Sequence, residues 1–287
     1  MRDPLASRSD LLPTPFPPPW ASAFGDDEYG LWFEFTVDEV RQRLRWITAG
    51  SFAMGRPEDE VGNDDEKPQH EVQISQGFWL ADTACTQALW QAIMGENPAR
   101  FNAANHGGPE HPVERISWLD VQVFLQKLNT LLPGCTASLP TEAEWEYACR
   151  AGTTTPFYFG ETVNPAQVNY NGNYRYGAGA KGEYREKTVA VKDLPANGWG
   201  LYQMHGNVWE WCADNRRAYA AELAIDPGLE EARAPPAKPA RRALRGGAWI
   251  LDARLARSAF RYACACGHRD YFAGFRLALR FPAGQGG

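Results

Sequence analysis

The stretch GGAWILDARLARSAFRYACACGHRDYFAGFR, from Gly246 to Arg276, carries the most information about the fold. Its ends are orderly, with RGGAW at the start and GFR at the finish, but its middle has neither a helical period nor strand alternation. Arginines recur through it between apolar, aromatic and cysteine side chains. A segment of this kind needs support from the rest of the chain.

The composition indicates a globular protein. The chain has 287 residues, of which 44% are hydrophobic and 22% charged, which is enough for one large or two ordinary domains with a substantial core. Its 27 glycines and 21 prolines favour many turns over long helices. The net charge of −6 argues against a nucleic-acid-binding protein, which is usually basic.

The N-terminal residues contain no uninterrupted apolar core of a secretory signal, and no apolar run reaches the length of a membrane span. We therefore expect a cytoplasmic protein, with the cell surface left open. Among the six cysteines only Cys264 and Cys266 are close in sequence, and one intervening residue is too few for a common zinc-binding pair. Reduced, mostly buried thiols are the simplest interpretation.

Capping signals predict the helices. The stretch TQALWQAIMG predicts a helix that is capped by Thr86 and ends at Gly95. Ser117 and Asp120 form a capping-box pair before the strongest amphipathic pattern, and Thr141 and Glu144 form a second such pair. No further helix is predicted after residue 152.

Other patterns predict strands, turns and boundaries. Residues 29–47 alternate on both sides of VDE and predict a β-hairpin, residues 50–55 predict a turn, and residues 70–81 predict two short strands. We expect a Pro-rich N-terminal arm over 1–28, one domain over 29–282 and a tail over 283–287. The Ala/Pro/Arg-rich residues 230–242 predict a surface loop.

Seven motifs together resemble the formylglycine-generating-enzyme, or sulfatase-modifying-factor, family. They follow in the order GSFAMG, EKPQHEV, HPVERISWLDV, LPTEAEWEYACRAG, NGWGLYQMHGNVWEWCAD, LRGGAW and GFRLALR. The resemblance extends from about residue 31 to 280. It implies an α+β protein with the C-type lectin fold of this family, which has two main helices, small twisted antiparallel sheets and much irregular chain.

The enzymes of that family resemble copper-dependent oxidases with two cysteines shortly after the GG turn. On this sequence those positions are Leu251 and Ala256, which offer no thiolate. We therefore expect no copper, no catalytic residues and no enzymatic activity. Two alternatives stay open: an oxidoreductase of this fold with an altered active site near Cys264 and Cys266, and a structural subunit in which the segment is inert.

A binding branch of the family gives a closer match to the quoted stretch. LRGGAW, ARLARSAFR and GFRLALR resemble the variable proteins of diversity-generating retroelements. In those systems template adenines are randomised, and codons that end in a fixed C cannot encode Lys, Glu, Gln, Met or Trp. None of these five types occurs between Ile250 and Ala273. The resemblance implies a diversified surface over about 250–273 that binds a protein or another macromolecule.

The segment thus divides into two predicted sets. The expected framework comprises Gly246, Gly247, Trp249, Arg254, Arg257, Arg261 and Arg276, whose guanidinium groups can fork to carboxylates and backbone carbonyls. The expected ligand-binding side chains are Leu251, Asp252, Leu255, Phe260, Tyr262, Cys264, Cys266, His268, Asp270, Tyr271 and Phe272.

The same resemblance implies structural calcium at two places. In the GNVWEW loop the matching residues are Gln203, Gly206, Val208 and Glu210, where the glutamine replaces a carboxylate or asparagine. Asn169 and Tyr170, with Glu183, form the second candidate. Oxygen ligands of this kind suit calcium, although asparagine is equally common in turns.

Overall fold

The computed structural model describes residues 16–230 and 241–282. The first fifteen residues of the predicted arm, the C-terminal tail and most of the predicted 230–242 loop lie outside this range. The strands in chain order are β1 Ala23–Asp27, β2 Gly30–Val37, β3 Val40–Ile47, β4 Gly50–Met54, β5 His70–Ile74, β6 Phe78–Ala81, β7 Thr136–Ser138, β8 Trp209–Asn215, β9 Ala224–Ile225, β10 Arg241–Arg245, β11 Tyr262–Ala265, β12 Ala273–Phe275 and β13 Ala278–Arg280.

Three helices accompany these strands: α1 Gln87–Met94, α2 Trp118–Leu131 and α3 Glu142–Arg150. Each begins where its cap was predicted. Thr86 accepts a hydrogen bond from the Leu89 amide, and both predicted capping boxes, Ser117 with Asp120 and the corresponding pair before α3, are present. Short polar side chains at these positions satisfy amide groups that a helix start leaves without partners.

The largest sheet has six antiparallel strands in the order β1-β2-β3-β6-β13-β7. The predicted hairpin is confirmed, with Val37 opposite Val40 at its turn. Strand β1 lies within the predicted arm, so that part of the N-terminal region is an edge strand of the sheet. Because β13 pairs with β6 and β7, the C-terminal segment joins strands from the first half of the chain.

A smaller three-stranded sheet has the order β4-β5-β9. Residues 50–55 were predicted to form a turn, and this prediction is wrong for 50–54, which form β4. The glycines at both ends suggested a turn, but Phe52 faces Val72 across an antiparallel ladder. Pairing with a distant strand outweighed the local turn signal.

The sheet that positions the site has four strands in the order β11-β10-β8-β12. Strand β12 runs parallel to β8, and β10 lies antiparallel between β8 and β11. Trp211 from β8 and Phe275 from β12 are fully buried in the main core beside α2. Within residues 16–230 and 241–282, every helix is too short or too polar to cross a lipid bilayer.

Candidate functional site

The segment from Gly246 to Arg276 begins and ends in the four-stranded sheet. It leaves β10, makes a 3-10 turn at Ala253–Ala256, returns as β11, and re-enters the sheet as β12. Gly246 and Gly247 both have positive φ angles, and a Cβ on Gly247 would lie 2.9 Å from the Ala256 Cα. Only glycine allows this close approach of two backbones, which fixes the start of the segment.

Two arginines of the segment bind buried carboxylates contributed by distant elements. Arg257 donates to both oxygens of Glu66 at 2.8 Å and to Glu60 at 2.5 Å. Burial alone would lower the pKa of Arg257, but these two carboxylates outweigh it and raise the pKa. Arg261 forks to the carboxylate of Glu142 at 2.7 and 2.5 Å. The segment is therefore tied to residues 60–66 and to the start of α3.

A third buried arginine fixes the far end of the segment. Arg276 forks to Glu210 at 3.0 and 2.8 Å and donates to two backbone carbonyls, those of Ala81 and Tyr202. The indole of Trp145 also donates to Glu210, at 2.7 Å. Such bidentate pairs fix both the position and the orientation of a loop.

Arg254 departs from the predicted framework. Its side chain is 64% exposed, and it forks only to the neighbouring Asp252, at 3.1 and 3.0 Å. Asp252 caps the 3-10 turn by accepting from the Arg254 amide. Arg254 thus forks to a carboxylate as expected, but the pair lies at the surface within one turn and joins no distant element.

Most of the predicted ligand-binding side chains reach the surface. Tyr262 stacks one face on Trp209 and is 42% exposed, and His268 is exposed. The remaining members of this partly exposed set are Leu251, Asp252, Leu255, Cys264, Asp270, Tyr271 and Phe272. We call these nine residues the variable surface.

Phe260 and Cys266 do not belong to the variable surface, and the prediction of solvent-facing side chains is wrong for both. Phe260 is 8% exposed and packs against Trp209 in the main core, and Cys266 is buried in the same core. The Phe260 amide bonds to the Arg257 carbonyl, which turns the ring inward. Leu251, Leu255, Cys264 and Phe272 also touch this core on one side.

Sequence reasoning missed the residues that flank the variable surface. Trp249 is enclosed by Phe101 at 5.3 Å, Tyr184 at 6.2 Å and Tyr271 at 6.0 Å between ring centres, and Arg100 lies 4.6 Å over the Tyr271 ring. A signal was present, because residues 171–187 are rich in Tyr, Gly and Asn, as antibody loops are.

Glu114 is a fully buried carboxyl group near these flanking residues. One of its oxygens accepts from the Phe101 amide at 2.8 Å, and the other has no hydrogen-bond partner among the described residues. Burial raises the pKa of Glu114 to about 7. The charge of this group therefore changes near neutral pH, close to the base of the exposed aromatic surface.

The two positions at which the resemblance led us to expect copper-binding cysteines, Leu251 and Ala256, do not fit that metal. Leu251 and Ala256 have no donor atom in their side chains, and Ala256 is buried with its carbonyl accepting from His205 Nδ1 at 2.6 Å. Because the Tyr158 amide donates to Nε2 of the same ring, His205 is neutral, and burial lowers its pKa to about 3. Nearby Cys149 is buried, which raises its pKa to about 12 and keeps the thiol protonated.

The first calcium candidate does not fit the ion either. Both oxygens of the Glu210 carboxylate are bonded by Arg276, which neutralises the only charge among the four proposed ligands. The side-chain oxygen of Gln203 accepts from the side-chain amide of Asn207, and the side-chain nitrogen of Gln203 donates to the Ala190 carbonyl. These groups are already satisfied by the protein itself.

The second calcium candidate, at Asn169 and Tyr170, offers one suitable ligand atom. Asn169 is fully buried, its amide nitrogen donates to the Lys187 carbonyl and to Asn207, and its Oδ1 has no partner among the described residues. An unpartnered buried oxygen is a suitable ligand for a hard cation. Tyr170 is buried beside it, and the carboxylate of Glu183 is exposed and pairs with Arg185 at 3.2 Å.

Cys264 and Cys266 form no disulfide in the structure. Within the described ranges, no three side chains of His, Cys, Asp or Glu cluster closely enough to hold a metal ion.

Solved structures resemble this architecture over most of the chain. Treponema denticola variable protein 1 is 28% identical with a TM-score of 0.70, over 86% of this chain and 98% of that one. PvdO from Pseudomonas aeruginosa is 26% identical with a TM-score of 0.67, over 91% of this chain and 99% of that one. Both likenesses agree with the predicted fold.

Sequence comparison gives the same family. A formylglycine-generating enzyme of Streptomyces coelicolor is 34% identical over 75% of this chain and 68% of its own length, and that of Bos taurus is 32% identical over 61% and 45%. The family described as the sulfatase-modifying factor enzyme 1-like domain matches residues 33–281. The chain therefore belongs to the sulfatase-modifying factor enzyme 1-like family, as its motifs predicted.

Proposed function

We propose that the protein is a non-enzymatic ligand-binding protein whose segment 250–273 is a retroelement-diversified binding surface. One observation carries this proposal. Within the single segment Gly246–Arg276, three arginines are buried in ion pairs with distant elements, while nine other side chains reach the surface. A loop held by its arginines tolerates exchange of the side chains that do not support it.

The exposed chemistry suits a protein ligand. Tyr262, Tyr271 and the flanking Tyr184 offer large, rigid contact areas at low cost in conformational entropy, as in antibody binding sites. Affinity in such surfaces is concentrated in a few aromatic or arginine side chains. Exchanging a handful of residues can therefore change the partner. The likeness to a variable protein of Treponema denticola supports this interpretation.

A display library tests the proposal directly. We would randomise the codons of seven variable-surface positions outside the tightest packing and select against lysozyme as an arbitrary protein ligand. The positions are Leu251, Asp252, Leu255, Tyr262, His268, Asp270 and Tyr271. We expect most members to fold and some to bind lysozyme specifically.

A matched library of seven exposed positions elsewhere serves as the control. It would randomise Leu119, Val123, Gln126, Lys127, Thr130, Leu131 and Glu96, which lie on or near the helices. If the first library mostly unfolds, or if the control library yields binders as readily, segment 250–273 is not a specialised binding surface. A near-copy of the segment in neighbouring DNA, beside a reverse-transcriptase gene, would establish diversification independently.

An oxidoreductase with an altered active site is the alternative, supported by similarity to the formylglycine-generating enzymes. It would use Cys264 or Cys266 as the reactive thiol. We expect the purified protein, supplied with copper or iron, to leave a cysteine-containing peptide unoxidised. Metal-dependent oxidation that is lost in Cys264→Ser would favour the enzyme instead.

We also propose a cytoplasmic location, which is supported by six cysteines without disulfides.

We propose structural calcium at Asn169 and Tyr170 as well, which is supported by the unpartnered Asn169 oxygen. Removal of calcium with a chelator is expected to lower the melting temperature, and calcium but not magnesium is expected to restore it. No shift on chelation would argue against a stabilising ion.

A further inference from the structure

An open cleft of about 600 Å³ lies beside the 3-10 turn, on the flank of the variable surface. Its walls come from residues 53–61, 154–161 and 175–177, with Gln69 and Arg254. The charged groups that line it are Asp59, Glu60, Glu161, Arg175 and Arg254. Of these five residues, Asp59, Glu161 and Arg175 belong neither to the framework nor to the variable surface.

Glu60 supplies the unusual feature of the cleft. Its side chain is only 4% exposed, and Oε1 accepts from Arg257 at 2.5 Å. The other carboxylate oxygen, Oε2, is buried and has no hydrogen-bond partner among the described residues. Leaving a buried charged acceptor without a donor is unfavourable, so a donor that reached this oxygen from the cleft would gain free energy.

The charges around Glu60 favour a cation. Arg254 is paired with Asp252, and Glu60 is paired with Arg257, which leaves Arg175 at the rim against the carboxylates of Asp59 and Glu161. Tyr176, also in the wall, lies within electrostatic range of Glu60 and Glu161, and its pKa is raised by burial and then by Glu60. The wall thus combines excess negative charge with an aromatic ring that can contact an alkyl chain.

We propose that this cleft binds the cationic end of a lysine or arginine side chain on a protein partner, with Glu60 Oε2 as the acceptor. Asp59 and Glu161 add electrostatic attraction at the rim, and Tyr176 packs against the aliphatic part of the side chain. The inference does not depend on diversification of segment 250–273, because none of the nine variable-surface residues lines the cleft.

Small analogues of the side chain test this site without a known partner. We would titrate the ¹⁵N-labelled protein with N-acetyl-lysine amide and N-acetyl-arginine amide, and follow amide shifts in residues 58–61 and 175–177. Saturable shifts that weaken with added salt are expected for both. N-acetyl-norleucine amide, which lacks the charge, and N-acetyl-glutamate amide are expected to cause none.

Three outcomes would each overturn the proposal. They are equal binding of the norleucine amide, preferential binding of the glutamate amide at Arg175, and absence of saturable shifts with the two cations. A combined Asp59→Asn and Glu161→Gln variant, at exposed positions, is expected to keep its fold and bind the cations about tenfold more weakly. Glu60→Gln is expected to abolish binding, but it also removes a partner of Arg257, so the exposed variant is decisive.

The matched control removes the same charge elsewhere. Glu71→Gln combined with Glu186→Gln changes two exposed carboxylates that do not line the cleft. Its affinity for the lysine amide is expected to equal that of the unaltered protein. If the control weakens binding as much as the Asp59 and Glu161 changes do, the attraction is a general effect of net charge and the site is not supported.

Discussion

Arg257 and Tyr262 lie five positions apart in one segment, yet their environments are opposite. Arg257 is buried against Glu60 and Glu66, whereas Tyr262 has 42% of its surface exposed. The arginine has the more polar side chain and is nevertheless the more buried residue. The contrast shows that charge pairing with distant elements buries Arg257, whereas Tyr262 leaves part of its ring at the surface.

The largest expected effect comes from breaking a framework pair. Arg276→Met leaves the Glu210 carboxylate buried without its cationic partner, which is expected to reduce the free energy of unfolding by about 3–5 kcal/mol. Arg254→Met, at the exposed arginine, is the matched comparison and is expected to change it by less than about 1 kcal/mol. Urea denaturation of both variants measures the difference, and similar losses would contradict the division between them.

Two aromatic neighbours provide the next comparison. Phe260→Ala is expected to cost about 3 kcal/mol because it opens a cavity in the main core. Tyr262→Ala is expected to cost less than about 1 kcal/mol, since its ring lies over Trp209 at the surface. Thermal and urea unfolding check both values. A loss at Tyr262 equal to that at Phe260 would place Tyr262 in the core.

Glu114 sharpens the comparison, because it is a buried carboxyl group that forms no ion pair with a described residue. Its raised pKa means that the folded state binds the proton more tightly than the unfolded state. The stability it contributes is complete below about pH 4.5 and is lost as the pH rises through about 7. We expect Glu114→Gln to remove this loss, which is on the order of 3 kcal/mol.

Urea denaturation at several pH values between 4 and 8 measures this effect. The free energy of unfolding of the unaltered protein and of Glu114→Gln is plotted against pH, and the difference between the two curves is the contribution of Glu114. Asp214, whose pKa burial raises to about 7, changes stability in the same direction in both proteins and therefore cancels. Parallel curves would show that Glu114 ionises normally.

The smallest expected effect concerns the exposed pair between Arg269 and Asp120, which joins the segment to α2 at 2.7 Å. Arg269→Ala is expected to change the free energy of unfolding by less than about 1 kcal/mol, because both groups are well solvated and salt screens their attraction. Measurement at low and high salt checks this. A loss comparable to that of Arg276→Met would make Arg269 part of the framework.

Local chemistry explains which elements could be predicted from sequence. The starts of α1, α2 and α3 follow from Thr86, Ser117 and Thr141, because a cap acts within one helical turn. The hairpin at Val37 and Val40 follows from alternation around a short turn. Strand β4 did not follow, because its pairing with β5 is a tertiary contact.

The site divides in the same way. The sequence by itself determined the family, the helix starts, and a segment in which glycines and arginines alternate with apolar and aromatic side chains. Only the tertiary structure decided that Arg254 points outward, that Phe260 and Cys266 turn inward, and that Glu60 leaves one oxygen facing no donor. The physical reason is that burial and ion pairing depend on carboxylates and rings supplied from positions far along the chain, which local spacing does not specify.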